Sequence, residues 1–129
     1  MLKYFSTHIP KVQALEDNPG VYYILNTANN CIYIGQSQRV RNRVRTHISH
    51  LVGGNHSNQW LQRDWNDFGE HHFELGVLGY FDEEIRYGHT LYRFLLNMET
   101  IYIRAYQAHD PRFGYNLNQR HGKVVMRCL

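Results

Sequence analysis

A small mixed α+β domain, a three-stranded antiparallel sheet flanked by helices, is the fold class this sequence predicts, and three features predict it. Gly20 to Gly35 holds two short runs rich in β-branched and aromatic residues on either side of Thr27-Ala28-Asn29-Asn30, the composition of a β-hairpin. His72 to Phe81 alternates loosely enough for a third strand. Three further stretches carry apolar residues at helical spacing, the longest of them towards the C-terminal end.

Taken in order, residues 1–17 read as a peripheral lead-in, and Asn18-Pro19-Gly20 is the turn that starts the first strand. After the hairpin, Ser37 is placed to cap a helix whose Val40, Val44, Ile48 and Leu51 recur at spacings of four, four and three. Val52 to Ser57 is a loop by composition. Asn58 then caps a second helix through Trp60, Leu61, Asp64, Trp65 and Phe68, which Gly69 ends. On the third strand Phe73, Leu75, Val77 and Gly79 are expected to share a face. A longer helix from Gly88 or Thr90 to Gln107 presents Leu91, Phe94, Leu95, Met98, Ile101, Tyr102 and Ala105 to the sheet. Asp110-Pro111 ends it, and Phe113 to Asn118 leads into a short closing segment.

The hairpin register carries the argument towards chemistry. If Asn26 pairs with Cys31 across a four-residue loop, Ile24 faces Tyr33 and Tyr22 faces Gly35. Tyr22 and Tyr33 then project from the same face as diagonal neighbours. On the following helix Arg39, Arg43 and His47 form a stripe at spacing four beside the apolar stripe. Two phenols, a guanidinium and an imidazole thus share a surface. Glu99, beside the apolar stripe of the long helix, reads on its own as an ordinary helix glutamate.

The 129 residues suit one domain with a single core, with 43% hydrophobic and 19% charged residues and a net charge of +3. The charge is segregated: Arg39, Arg41, Arg43 and Arg45 alternate along one segment, while Asp82, Glu83 and Glu84 cluster in another. Such segregation attracts a polyanion to one face, although a charge run alone is more often a solvated helix surface. Cys31 and Cys128 make no CxxC pattern or disulfide framework, and His8, His50, His71, His72, His89, His109 and His121 lack zinc-ligand spacing. Trp60 and Trp65 are core residues by default. No run approaches transmembrane length and no apolar signal core opens the chain, so an intracellular, cytoplasmic protein without membrane contact is expected.

Gly20-Val21-Tyr22 and Tyr33-Ile34-Gly35, with ten residues between the two tyrosines, resemble the paired signatures of the GIY-YIG nuclease family. Valine replaces the usual isoleucine in the first. The family's following serine, arginine and histidine are matched by Ser37, Arg43 and His47, with Val40 at a position usually taken by leucine. Its helix-borne glutamate is matched by Glu99 and its closing Gly-Tyr-Asn by Gly114-Tyr115-Asn116, so the resemblance runs from about residue 18 to 118 of a single domain, with 119–129 as a tail. His56 and Leu61-Gln62-Arg63 look most like the catalytic domain of homing endonucleases, in which a histidine at the position of His56 is associated with activity.

The resemblance implies a DNA endonuclease that hydrolyses phosphodiester bonds with a divalent metal. Its catalytic residues would be Tyr22, Tyr33, Arg43, His47, His56, Glu99 and Asn116, with Ser37, Arg39, Arg41 and Arg45 contacting nucleic acid. Those residue types suit the chemistry. Phosphodiester hydrolysis needs a placed water, countercharge for the phosphate oxygens and stabilisation of the leaving oxygen. Glu99 is the candidate ligand for Mg²⁺, with Mn²⁺ as a substitute, because Mg²⁺ keeps most of its shell for water and phosphate. Arg43 has the planar fork that fits a phosphate. Tyr22, with Tyr33, is implied to position or deprotonate the water, while His47 suits a hydrogen-bond partner or proton relay, and Asn116 suits orienting a reactive group or closing a turn. The arginines would give phosphate contacts that do not read sequence. Homing members usually append a separate recognition region, so specificity is expected from loops, from a homodimer or from a partner protein. The alternative is a binding module that keeps the fold and has lost catalysis.

Overall fold

The computed structural model describes residues 8–81 and 90–117. In chain order it comprises α1 (Ile9–Gln13), β1 (Gly20–Asn26), β2 (Cys31–Ser37), α2 (Val40–Gly53), α3 (Gln59–Phe68), β3 (Phe73–Tyr80) and α4 (Leu91–Tyr106), with a 3₁₀ turn at Glu70–His72. The three strands form one antiparallel sheet in the order β2-β1-β3. The acidic residues at 82–84, together with His89, His121 and Cys128, lie outside the described residues.

The hairpin forms in the expected register, Asn26 opposite Cys31, Ile24 opposite Tyr33 and Tyr22 opposite Gly35. Its loop is made by asparagine chemistry. Asn26 Oδ1 accepts from Ala28 N–H at 3.0 Å and Asn29 Oδ1 from Cys31 N–H at 3.0 Å, while Asn30 takes the left-handed conformation at φ 63°. Asparagine tolerates that region because its short side chain bonds locally.

Side chains of the sheet divide between two packed layers. Tyr22, Ile24, Phe73 and Leu75 pack with Val40, Val44, Ile48 and Leu51 of α2 and with Leu61 and Trp65 of α3. Val21, Ile32 and Ile34, on the other face, meet Met98, Tyr102 and Ile103 of α4. Each fully buried aliphatic side chain contributes roughly 1.5–3 kcal/mol. The sheet is therefore held between helices on both sides, and the α2 face fixes where Tyr22 and Tyr33 point.

Four expectations are corrected. Ser37 does not cap α2: it is the last residue of β2, and its hydroxyl accepts from Arg39 N–H at 2.9 Å. The free N-terminal amides of α2 are served from a distance instead, with Asp17 Oδ1 accepting from Asn42 N–H at 2.9 Å. The lead-in is not wholly peripheral, since Val12 belongs to the core and His8 is buried against Trp65. A β-bulge lets Leu78 and Gly79 both face Val21, which turns Gly79 away from the face shared by Phe73, Leu75 and Val77 and towards Tyr102. On α4, Ile101 and Ala105 are exposed, and the buried stripe runs through Leu95, Met98 and Tyr102. Thr90 and Asn58 are N-caps, accepting from Arg93 and Leu61 N–H, and Gly69 closes α3 at φ 91°.

Candidate active site

The hairpin and α2 meet at Tyr22. Because Tyr22 lies directly opposite Gly35, its ring crosses the neighbouring strand where a Cβ would overlap the hydroxyl and ring carbons. Glycine at position 35 is thus the condition for the phenol's placement. Tyr22 is 1% exposed, and its hydroxyl lies 2.7 Å from Nε2 of His47, itself 2% exposed. Tyr33 stands edge-on to the same imidazole, ring centres 5.3 Å apart. Nδ1 of His47 is 2.7 Å from Nε2 of His56, and Nδ1 of His56 accepts from the Asn58 backbone N–H at 2.9 Å. One continuous chain therefore runs Tyr22, His47, His56, Asn58. His50 stands edge-on to His56 at 6.4 Å, extending the imidazole cluster towards the surface.

Burial governs the charge of these groups. His47 is pushed down to about 3, first by burial and then by the Arg43 charge and the neighbouring imidazoles. His56 falls to about 4, by burial and by the charges of His50 and Arg43. Both are neutral near pH 7. The Tyr22 hydroxyl is raised well above its ordinary value, chiefly by burial and by Tyr33, and the opposing influence of Arg43 is smaller. Tyr33 is raised for the same leading reason. Both phenols are therefore protonated in the free protein, and Arg43 alone does not produce the phenolate.

This has a consequence for folding. The unfolded imidazoles titrate at 6.5, so between that value and about 4 or 3 the unfolded chain binds more protons than the native one. Stability is fully present above 6.5 and falls as pH drops, by at most about 1.4 kcal/mol per pH unit for each group. Urea unfolding of wild type and His47→Gln from pH 7.5 to 4.5 is expected to show the shallower decline in the variant.

The arginine run divides by helical geometry. Residues two apart on a helix lie about 200° apart, so on α2 Arg43 lies on the side opposite Arg41 and Arg45, while Arg39 is the non-helical residue before the helix. Arg43 is exposed beside Tyr22, Tyr33 and the two histidines, and it alone of the four acts on the phenols. Arg39 pairs with Asp17 at 2.9 Å, and Arg41 donates to Leu15 O at 3.4 Å. Arg45 is exposed on the far side. Of the four arginines, Arg43 is the one beside the two phenols and His47. Ser37 turns inward to the backbone, as described.

Glu99 enters from α4. Its carboxyl is raised from the ordinary range by burial, while the Gln36 backbone N–H beside it acts the other way. It also lies near enough to Tyr22 and Tyr33 to influence both. The outer edge of β2 explains how it is placed. Ile32 N–H donates to Phe113 O at 3.1 Å and Tyr115 N–H to Ile32 O at 2.9 Å. Further along, Asn116 Oδ1 accepts from Ile34 N–H at 2.8 Å and Nδ2 donates to Ile34 O at 2.7 Å. Gln36 N–H, next outward, meets Glu99. A backbone bridge, a side-chain amide and a carboxylate thus continue the sheet edge in succession.

Asn116 is accordingly a clamp on the strand between Tyr33 and Gly35, with both atoms of its amide engaged by the Ile34 backbone. The closing Gly-Tyr-Asn works as a unit. Gly114 sits against the Ala108 backbone where a Cβ would overlap, Tyr115 donates to Asp64 Oδ2 at 2.8 Å, and Asn116 holds β2. Asn116→Ala leaves Ile34 N–H and C=O unpaired and is expected to cost about 1–3 kcal/mol in urea unfolding. Asn116→Asp keeps the acceptor for Ile34 N–H but sets a carboxylate oxygen against Ile34 O, and should cost at least as much.

Gln62 is the structural residue that the sequence did not single out for its role. Its Oε1 accepts from His56 N–H at 2.9 Å, and its Nε2 donates to Leu51 O and Asn66 Oδ1, each at 3.0 Å. It ties the His56 loop to α2 and α3. The sequence signal was a polar residue at a buried helix position, visible only once the apolar stripe of α3 is aligned.

Among the described residues no group of three or more His, Cys, Asp or Glu is arranged to hold a metal ion, and none of their helices is long and apolar enough to cross a membrane. A lone carboxylate is compatible with Mg²⁺, which leaves most of its shell to water and phosphate.

Comparison with known proteins agrees with this geometry. The GIY-YIG catalytic domain model matches residues 18–116. Intron-associated endonuclease 1 of Enterobacteria phage T4 is 34% identical over 98 residues, covering 76% of this chain and 36% of that protein. The chain thus spans about a third of the length of that curated relative. The catalytic domain of homing endonuclease I-TevI superposes with a TM-score of 0.63 at 28% identity, covering 76% of this chain and 96% of that one. A point mutant of the same domain gives 0.64 at 26% identity, covering 84% and 98%. On the family match over residues 18–116 and the shared fold, the chain belongs to the GIY-YIG family.

Proposed function

We propose that this protein is a DNA endonuclease that hydrolyses phosphodiester bonds with Mg²⁺, for which Mn²⁺ substitutes, in the manner of the homing branch of its family. The observation that carries the reading is the convergence of Tyr22, Tyr33, His47, His56, Arg43 and Glu99 from two strands, two helices and a loop. Packing alone would not require six polar side chains of these four types to converge on one part of the sheet. The named relatives are endonucleases, one of them intron-associated.

Glu99 would hold the cation, which when bound supplies charge to the phosphate and to the leaving oxygen. Arg43 binds a non-bridging phosphate oxygen through its fork, fixing the scissile group against the Tyr22 and Tyr33 hydroxyls. These phenols bond and orient the attacking water. Because burial keeps Tyr22 protonated, it becomes a base only when positive charge gathers at the loaded site. His47 and His56, neutral and buried, keep the phenol in place.

Supercoiled plasmid is the test substrate. Nicked or linear product in Mg²⁺, absent with chelator, is the expected result. Salt-dependent DNA binding without any cleavage would instead favour an inactive binding module.

A further inference from the structure

The hydrogen-bond chain behind Tyr22 ends on a group that cannot change its polarity. The Asn58 backbone N–H donates to His56 Nδ1 at 2.9 Å, and a peptide N–H always donates. Neutral His56 must then carry its proton on Nε2, which lies 2.7 Å from His47 Nδ1. That nitrogen of His47 is thereby the acceptor, so His47 carries its own proton on Nε2, 2.7 Å from the Tyr22 hydroxyl. We propose that the Asn58 amide locks both imidazoles in the Nε2–H tautomer, so that His47 faces Tyr22 only as a donor and His56 is a positioning residue that fixes this direction.

The other polarity is closed by the same geometry. For His47 to accept the Tyr22 proton while remaining neutral, its Nδ1 would have to donate to His56. The displaced His56 proton would then stand at Nδ1, facing the Asn58 N–H. For His47 to accept it and become an imidazolium, a second positive charge would have to be buried beside Arg43, in a site where burial and that arginine already hold His47 neutral. The Tyr22 hydroxyl proton therefore points away from the histidines, towards the face that Arg43 and Glu99 occupy, and the His47 N–H stays on the phenol oxygen whatever the phenol's charge. The loop that bears His56 is built to hold this direction. His56 N–H is fixed by Gln62 Oε1 at 2.9 Å, and Asn58 is anchored by its side chain to Leu61 N–H and Tyr115 O.

The inference assigns a part in the reaction proposed above and rests on that reading for its functional meaning, but the tautomers are measurable without any substrate. In protein labelled with ¹⁵N-histidine, long-range proton–nitrogen correlation near pH 7 is expected to show His47 and His56 each with a protonated Nε2 and a bare Nδ1. A protonated Nδ1 on either ring, or an imidazolium, would overturn the proposal. In folded His56→Ala the lock is gone, so His47 should become a mixture of tautomers and the cleavage rate at saturating DNA should fall by at least about tenfold, as for an imidazole whose tautomer loses its orienting partner. His56→Gln, which keeps a side-chain N–H for His47, should restore the single tautomer and part of the rate. An unchanged His47 tautomer in His56→Ala would refute the role of His56. Wild type with the expected tautomers and no cleavage would refute the nuclease reading and leave the lock standing.

Discussion

Glu99→Gln is expected to reduce plasmid cleavage by about 10³-fold or more, since it removes the candidate ligand for a charge acting on both phosphate and leaving oxygen. The fold should survive. Burial raises the Glu99 carboxyl, which means that its ionised form is disfavoured where it sits. An amide of the same shape still accepts from Gln36 N–H and carries no charge to desolvate. The sign follows: a carboxyl raised on folding adds stability as pH falls through its folded value and withdraws it as pH rises. At neutral pH the variant should therefore be as stable as wild type or slightly more so. Urea unfolding and plasmid cleavage on the same preparation check both halves, and a variant that is inactive because it is unfolded would refute the second.

Tyr22→Phe is expected to cost about 10²–10⁴-fold in the cleavage step, the range of a lost acid–base or orienting group. The ring stays over Gly35, so the hairpin keeps its packing. The loss falls on the buried His47 N–H, which is left without its phenol acceptor at a cost of about 1–3 kcal/mol. DNA binding should change little, because the proposed phosphate contact belongs to Arg43 and not to Tyr22. Single-turnover rates, with binding measured separately in the absence of divalent cation, distinguish this outcome from a general loss of affinity.

Much of the site was legible because its determinants are local. Hairpin register followed from the asparagine loop and the alternation of strands, and it placed Tyr22, Tyr33 and Gly35 correctly. Spacing of four carried Arg43 and His47 to the same side of α2, where both meet the phenols. The family pattern pointed to Glu99, which local reading left as an ordinary helix glutamate.

What escaped depends on partners distant in sequence. Asp17 supplies the N-terminal acceptor of α2 in place of Ser37 and also occupies Arg39, which composition counts as available charge. The alternation of four arginines looks like one basic surface in a linear reading, whereas Arg39 precedes α2 and Arg43 lies opposite Arg41 and Arg45 on it. Asn116 resembles a turn residue or a reactive amide until its two bonds to Ile34 are seen across 82 positions. The bulge in β3 adds one residue opposite Val21, and strand periodicity cannot reveal it.

The central claim is that Tyr22 and Glu99, carried on opposite layers of the fold, serve one reaction centre. It is tested most directly by single-turnover plasmid cleavage with wild type, Tyr22→Phe, Glu99→Gln and the double variant. Residues acting as a unit are far from additive, so the double variant should be about as slow as the slower single one. Losses that multiply, or either single variant cleaving at the wild-type rate, would contradict the claim.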